Sequence, residues 1–543
     1  MNQSEKQTTE NRSTEDPASQ SGRARAILSL GRWNFYFGAK FLLFWNEAIG
    51  FHFMENLAFA VFLLVPITSL YWRGAKQVVA VPLAVALLYY DSWLPSIGRV
   101  LSQVSLLSSF DAGYLVELAG RFVNVSLLAM LVVAWLIYRV ISPWVRFGLI
   151  VVGYMATMAV LQLTSDRIAV EARELPPQEA EGARGKPDFD NMLKTFYAKE
   201  STRAVTFPAP STEAIPFDVI FIHVCSLSWD DVRAVGLDQH PLWKRFDFLF
   251  TNFNSAASYS GPAAIRIQRA TCGQSSNEAM NQPAAEQCYL MGSLKRSGFE
   301  PHLAMNHDGH FYDFLKTVQA QRLNVPPMPL DGVAVTQHAF DGAPIYDDLS
   351  VLRHWLERRG KSDSSRVALY YNSISLHDGN RMVGANSKLD SMETYKIRLS
   401  TLLDELEKFM AELEHSGRRA VVAMIPEHGA AVQGDKMQIL GLREIPSPRI
   451  TLVPVGIKVI GEGGQRQGGT LTIAAETSYL AVSQIVARMM EVSPFTGSGY
   501  NPADYVDDLA VTTFVSQNDS AVVIRNNGRS YWRQDGEAWG EFN

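Results

Sequence analysis

Apolar and polar positions divide the chain near Leu163. Before it, long apolar runs leave little polar face; after it, short apolar runs alternate with amphipathic stretches. Segments 57–72, 77–90, 122–138 and 147–163 predict membrane spans. Each falls slightly short of the ~20 residues a bilayer needs, and flanking aromatics extend them into the interfaces. An earlier segment, WNFYFGAKFLLFWNEAIGFHF, is interrupted by Lys40 and Glu47. It reads as a further span whose two charges snorkel toward its ends. Arg23, Arg25 and Arg32 precede it, Arg73 and Lys76 lie between the second and third spans, and Arg139 and Arg146 between the fourth and fifth. Putting those clusters in the cytoplasm requires five spans and sends residues from 165 onward across the membrane.

The rest follows a different period. FDVIFIHV, RVALYYNSIS, AVVAMI and ITLVPVGIKV read as strands, and METYKIRLSTLLDELEKFMAELEHSG reads as an amphipathic helix. Strands alternating with helices predict an α/β domain with a central, mostly parallel sheet. SAVVIRNNGRSYWRQ predicts a terminal hairpin with an Asn-Gly turn. The expected organisation is a disordered cytoplasmic tail over 1–32 and a multi-span α-helical membrane domain over 33–164. A Pro- and charge-rich linker follows over 165–215, with a short helix around FDNMLKTFY, and then a periplasmic catalytic domain over 216–543. The N-terminal stretch lacks the apolar core and small-residue cleavage site of a signal peptide.

Composition narrows the function classes. With 49 basic and 55 acidic residues, a net charge of −6 and no basic run, nucleic acid is not an expected partner. Three cysteines cannot build a disulfide scaffold. In an oxidising compartment Cys272 and Cys288, with fifteen residues between them, can form one bridge worth ~3 kcal/mol by loop-entropy arithmetic. Two reduced thiols are expected instead if the domain is cytoplasmic.

Candidate chemistry collects at strand ends. The first strand ends at Cys225, RVALYYNSIS leads into His377 and Asp378, and AVVAMIP leads into Glu427 and His428. Open α/β sheets bind ligands beyond the carboxyl ends of their strands. A thiol, imidazoles and a carboxylate converging there are zinc-type ligands, and three or four with one open position make a catalytic site. Ser260-Gly261-Pro262 reads as a helix N-cap with Pro in the first turn, where free N–H groups favour an anion. Beside zinc that hydroxyl can ionise and attack phosphorus. Arg443 can clamp a phosphate or make an ordinary surface ion pair. His307 and His310 read as further ligands or as solvated loop residues.

VCSLSWDD, SYSGPAAIR, SLHDGNR and PEHGAA carry a resemblance to the BcsG family, the inner-membrane phosphoethanolamine transferases of bacterial cellulose biosynthesis. The resemblance extends from GRWNFYFGAKFLLFWNEAIGFHF to the C-terminal hairpin. It implies a five-span anchor and a periplasmic domain of the alkaline phosphatase superfamily. It further implies zinc held by Cys225, Glu427 and His428, with the nucleophile Ser260 completing the sphere and His377 nearby. The implied donor is phosphatidylethanolamine and the implied acceptor cellulose, with cellulose synthase subunits as partners. Relatives that modify lipid A carry Glu, Thr and Asp-His at the places where Cys225, Ser260 and Glu427-His428 stand here. Two other functions compete: a metal-dependent phosphodiesterase or sulfatase, with SGPAAIR lacking the C/S-x-P-x-R spacing expected of a sulfatase, and a non-enzymatic scaffold of the cellulose synthase complex.

Overall fold

The computed structural model describes residues 30–46, 48–92, 110–122, 125–174, 187–209, 214–384, 386–435, 437–534 and 538–542. Of the expected tail over 1–32, residues 1–29 lie outside them, as do Glu47 and parts of the linker. The chain divides into two compact units. One contains 1–96 and 123–186, and the other 97–122 and 187–543.

The first unit is helical. Trp33–Trp45 has 13 residues and Phe53–Leu64 has 12. At 1.5 Å per residue these reach about 20 Å, short of the ~30 Å hydrocarbon core. The expected span over 57–72 is broken after Leu64 because Pro66 follows, and the residue before a proline leaves the helical region. A new helix, Leu70–Asp91, then takes in Arg73 and Lys76 as well as the third expected span. Val125–Ile141 and Phe147–Glu174 cover the last two. Among the described residues one helix, Phe147–Thr164, is long and apolar enough to cross a bilayer. A second qualifies only if Ala112–Arg121 and Ser126–Ile141 are counted as one bent span. Lys40 does not snorkel. It is buried, donates to Asn56 Oδ1 at 2.7 Å and pairs with Asp91, because a charge inside an apolar bundle is tolerated only with a partner.

The second unit is built on a seven-stranded sheet. Across it run Leu471–Ile473, Phe248–Asn254, Leu452–Ile460, Ala420–Pro426, Asp218–Val224, Val367–Ser373 and Glu300–Met305. Leu452–Ile460 pairs antiparallel with both neighbours, and every other pairing is parallel. In Asp218–Val224 every residue is buried. Val219 and Phe221 join one apolar cluster while Ile220, Ile222 and Val224 join another, so alternate side chains fill cores on opposite faces. Ser391–His415 covers one face. Asp390 and Glu393 cap its start reciprocally, and Leu399, Leu402, Leu403, Leu406 and Met410 form its buried stripe. Gly417, at φ 72°, follows its end.

Three smaller features frame the site. Cys272 and Cys288 form a disulfide just after the helix Ser260–Gln268. The terminal hairpin turns through Asn527 and Gly528 at φ 49° and 78°, and its sheet packs on the helix Phe189–Glu200. A three-stranded sheet of Val335–His338, Pro344–Tyr346 and Arg381–Met382 borders the loop that carries His377.

Candidate active site

Parallel strands end together at one edge of the large sheet. Val224 is in register with Ser373 on one side and Pro426 on the other. The residues that follow therefore leave the sheet side by side. Cys225 Sγ, a Glu427 oxygen and a His428 ring nitrogen lie within 4.8 Å of one another, all buried. Ser260 Oγ is 3.4 Å from Cys225 Sγ and 3.4 Å from His428 Nε2.

Each ligand atom is aimed by a further partner. His428 Nδ1–H donates to the Gly429 carbonyl at 2.9 Å, which leaves the Nε2 lone pair for the cluster. Asn372 Nδ2 donates to Glu427 Oε1 at 2.7 Å, and Asn372 Oδ1 accepts from His307 Nε2 at 2.8 Å. His307 Nδ1 accepts the Gly309 N–H at 3.1 Å. His307 is thus a buried part of the cavity wall with both ring nitrogens engaged, neither a ligand in this cluster nor a solvated loop residue. Glu427 Oε2 is buried without a hydrogen-bond partner. Burial pushes the Glu427 carboxyl up to about 7, raises the Cys225 thiol and holds His428 well below its usual value. A thiol, a carboxylate with an orphaned oxygen and an imidazole with a free lone pair are costly to bury together. A divalent cation removes that cost, and this mixed S, O, N set fits zinc.

The turns behind the cluster are locked to each other. Ser228 and Asp231 of SWDD form a reciprocal cap on the helix Trp229–Ala234. The same Asp231 carboxylate accepts N–H groups of Ala430 at 2.8 Å and Val432 at 3.1 Å. Gly429 is held so close that a Cβ there would stand 2.6 Å from the Ser228 hydroxyl oxygen. Ser226 and Ala431 adopt φ of 61° and 56°, a left-handed conformation that non-glycine residues adopt where the surroundings enforce it.

Ser260 is not the helix cap that the sequence suggests. Tyr259 holds that position, and Ser260 is the first residue of the helix Ser260–Gln268. Its hydroxyl turns toward Cys225 and His428 instead of its own backbone, free for chemistry. His377 Nδ1–H donates to the Asp378 carbonyl at 2.6 Å. Burial pushes the imidazole down to about 4, so it is neutral at pH 7 with Nε2 bare. Arg443 stands 5.8 Å over the Tyr259 ring, donates to Ser226 Oγ at 3.3 Å and lies 3.2 Å from His428 Nδ1. No carboxylate pairs with it among the described residues, so it is not a surface ion pair. Ser260, His377 and Arg443 line one cavity of about 440 Å³, walled by Tyr259, Phe311, Tyr312 and Phe340. His310 also lines it, but is bound to Asp308 and, at 2.8 Å, to Asp341.

Asn372, Asp231 and His223 escape the sequence reading. His223 sits inside the central strand, 2.8 Å from the Tyr370 hydroxyl and 3.5 Å from Glu427. A polar residue within an otherwise apolar buried strand is the signal that marks both His223 and Asn372.

Residues 33–160 match the family described as the "Cellulose biosynthesis protein BcsG N-terminal domain", and residues 174–539 match its C-terminal domain. The "Cellulose biosynthesis protein BcsG" of Salmonella typhimurium is 40% identical over 541 residues, 94% of this chain and 96% of that protein. The chain belongs to the BcsG family. The Escherichia coli BcsG protein is 38% identical over 543 residues, again 94% and 96% of the two chains. Among solved structures, an alkaline phosphatase superfamily protein from Vibrio parahaemolyticus is similar at 17% identity and TM-score 0.45, covering 66% of this chain and 88% of that one. The integral membrane lipooligosaccharide phosphoethanolamine transferase A from Neisseria meningitidis is similar at 13% identity and TM-score 0.41, covering 86% and 96%.

Proposed function

We propose that this protein transfers phosphoethanolamine from phosphatidylethanolamine to glucosyl 6-hydroxyls of nascent cellulose, through a covalent Ser260 intermediate. The observation that carries the reading is the Ser260 hydroxyl, 3.4 Å from two side chains of a buried thiol–carboxylate–imidazole cluster. Membership of a family described by cellulose biosynthesis supports the acceptor. Cys225, Glu427 and His428 would hold a zinc ion, which when bound supplies Lewis acidity and favours the ionised hydroxyl. Ser260 Oγ attacks the donor phosphorus, and the bond from phosphorus to the diacylglycerol oxygen breaks. His377, neutral with Nε2 free, takes the Ser260 proton and delivers it to the departing diacylglycerol oxygen. In the second half-reaction it takes the proton of the glucosyl hydroxyl and returns it to Ser260 as the phosphoester is transferred. Arg443 holds the phosphoryl oxygens as a planar donor.

The lipid donor makes sense of the apolar first part: a tether raises the effective concentration of a substrate confined to the membrane. The same reading places the protein in the bacterial inner membrane with five spans, its catalytic domain in the periplasm beside cellulose synthase subunits. Ser260→Ala tests it. The variant should accumulate to wild-type levels while cellulose loses its phosphoethanolamine, read as the missing phosphorus resonance in solid-state NMR. Full modification in the variant rejects the covalent route. Unmodified cellulose in the wild type as well leaves only a scaffold role.

A further inference from the structure

A helix remote in sequence reaches the back of this site. Residues 110–122 lie between two apolar stretches of the chain, yet they pack into the catalytic unit. The Asp111 N–H donates to the Phe340 carbonyl at 2.9 Å. The rings of Phe110 and Tyr114 lie 5.0 and 6.1 Å from that of Phe340, which in turn lies 5.3 Å from His377. On the helix Ala112–Phe122, Tyr114, Glu117 and Arg121 are spaced by three and four residues and share one face.

Arg121 closes a fork on the carboxylate next to His377. Its Nη1 donates to Asp378 Oδ2 at 2.6 Å and its Nη2 to Oδ1 at 2.8 Å. The Ser391 and Tyr114 hydroxyls donate to the same carboxylate at 2.5 and 3.1 Å. Glu117 pairs with Arg121 and Arg381. The Arg121 and Asp378 side chains are only 8% and 9% exposed. Two charges removed from water to that degree rarely stabilise a fold better than apolar residues of the same volume. What the fork does provide is a fixed position for Asp378. The carbonyl of that residue is the acceptor that holds the His377 tautomer.

We infer that Arg121 is a positioning residue for His377: by clamping Asp378 it fixes the carbonyl that keeps Nδ1 protonated and Nε2 bare toward the cavity. The inference rests on the role of His377 given under the proposed function. It makes the segment between the apolar stretches a working part of the catalytic unit.

The test uses the full chain in detergent micelles, with phosphatidylethanolamine as donor and cellopentaose as acceptor, and diacylglycerol release as the signal. Arg121→Ala should lower kcat about 10–100-fold, the usual cost of losing an orienting partner, with KM nearly unchanged and zinc content equal to wild type. Arg121→Lys keeps the charge but loses the fork, so it should recover only part of the rate; it carries the test if the alanine variant does not fold. Solid-state NMR of protein carrying ¹⁵N-labelled histidine gives an independent reading. Wild type should show His377 as a single Nδ1–H tautomer, and Arg121→Ala a mixture. Unchanged kcat together with an unchanged tautomer overturns the assignment, as does a lower kcat that merely follows lost zinc. Absence of turnover in the wild type would defeat the proposed reaction, and the tautomer would then decide the role of Arg121.

Discussion

Two groups of carboxylate and imidazole lie close to the cavity, and they differ in what they leave unsatisfied. At Asp308, His310 and Asp341 both ring nitrogens of a half-exposed histidine have carboxylate partners. At Cys225, Glu427 and His428 every ligand is buried, one carboxylate oxygen has no partner, and the second nitrogen of the imidazole is already committed to a carbonyl. The first group is complete by itself. The second leaves a buried donor oxygen open to a cation. Ligand chemistry alone does not mark a candidate metal site; a cluster of buried ligand atoms that leaves one of them without a partner is the stronger sign.

The largest effect that would break this contrast comes from the cluster itself. Cys225→Ala, Glu427→Ala and His428→Ala should each lower zinc content, by elemental analysis of the purified protein, and abolish donor cleavage. Circular dichroism should change little, because the seven-stranded sheet does not depend on these side chains. Equal zinc in all three variants would remove the cluster as a metal site. His310→Ala should leave zinc content at the wild-type level.

A smaller effect is expected one layer out. Asn372→Ala deletes the donor to Glu427 and the acceptor for His307, and should lower activity or zinc affinity about 10–100-fold. Zinc titration of the apoprotein checks this, and unchanged affinity and activity would show that Glu427 needs no aiming.

The smallest effect belongs to the exposed group. The hydrogen bond to Asp308, with a further one to Asp341, raises the His310 pKa against a modest opposing burial cost. Its protonated form is therefore favoured by folding, so its contribution is fully present below the unfolded pKa of about 6.5 and is lost as pH rises through the raised folded value. The difference in unfolding midpoint between wild type and His310→Asn should be small, largest below about pH 6.5 and diminishing as pH rises above it. A difference growing with pH would contradict the sign.

Much of the second unit was legible in the chain because its signals are local. Asp218–Val224, Val367–Ser373 and Ala420–Pro426 are largely apolar runs, and residues just past their ends, Cys225, His377, Glu427 and His428, contribute to the candidate site. The Asn527-Gly528 turn is similarly local. What the sequence concealed is pairing over distance. Nothing near Asp378 announces Arg121, 257 residues away. The cap formed by SWDD is local, but its second duty, holding Ala430 and Val432, needs the fold. In the first unit hydropathy marked apolar stretches but not their ends, because Pro66 breaks a run that averages as apolar. Lys40 looked tolerable near a helix end, whereas its partners, Asn56 and Asp91, lie on other helices.

The helix Ala112–Phe122 has a topological consequence. Residues 110–122 and 187–542 pack as parts of one body, and the chain from 123 to 186 leaves that body and returns to it. A closed excursion pierces any surface that does not cut the body an even number of times. If Phe147–Thr164 makes one passage through a membrane, the same excursion must make another, and its other described helix, Val125–Ile141, has 17 residues, about 25 Å against a ~30 Å hydrocarbon core. On that condition parity excludes an odd number of passages between 123 and 186.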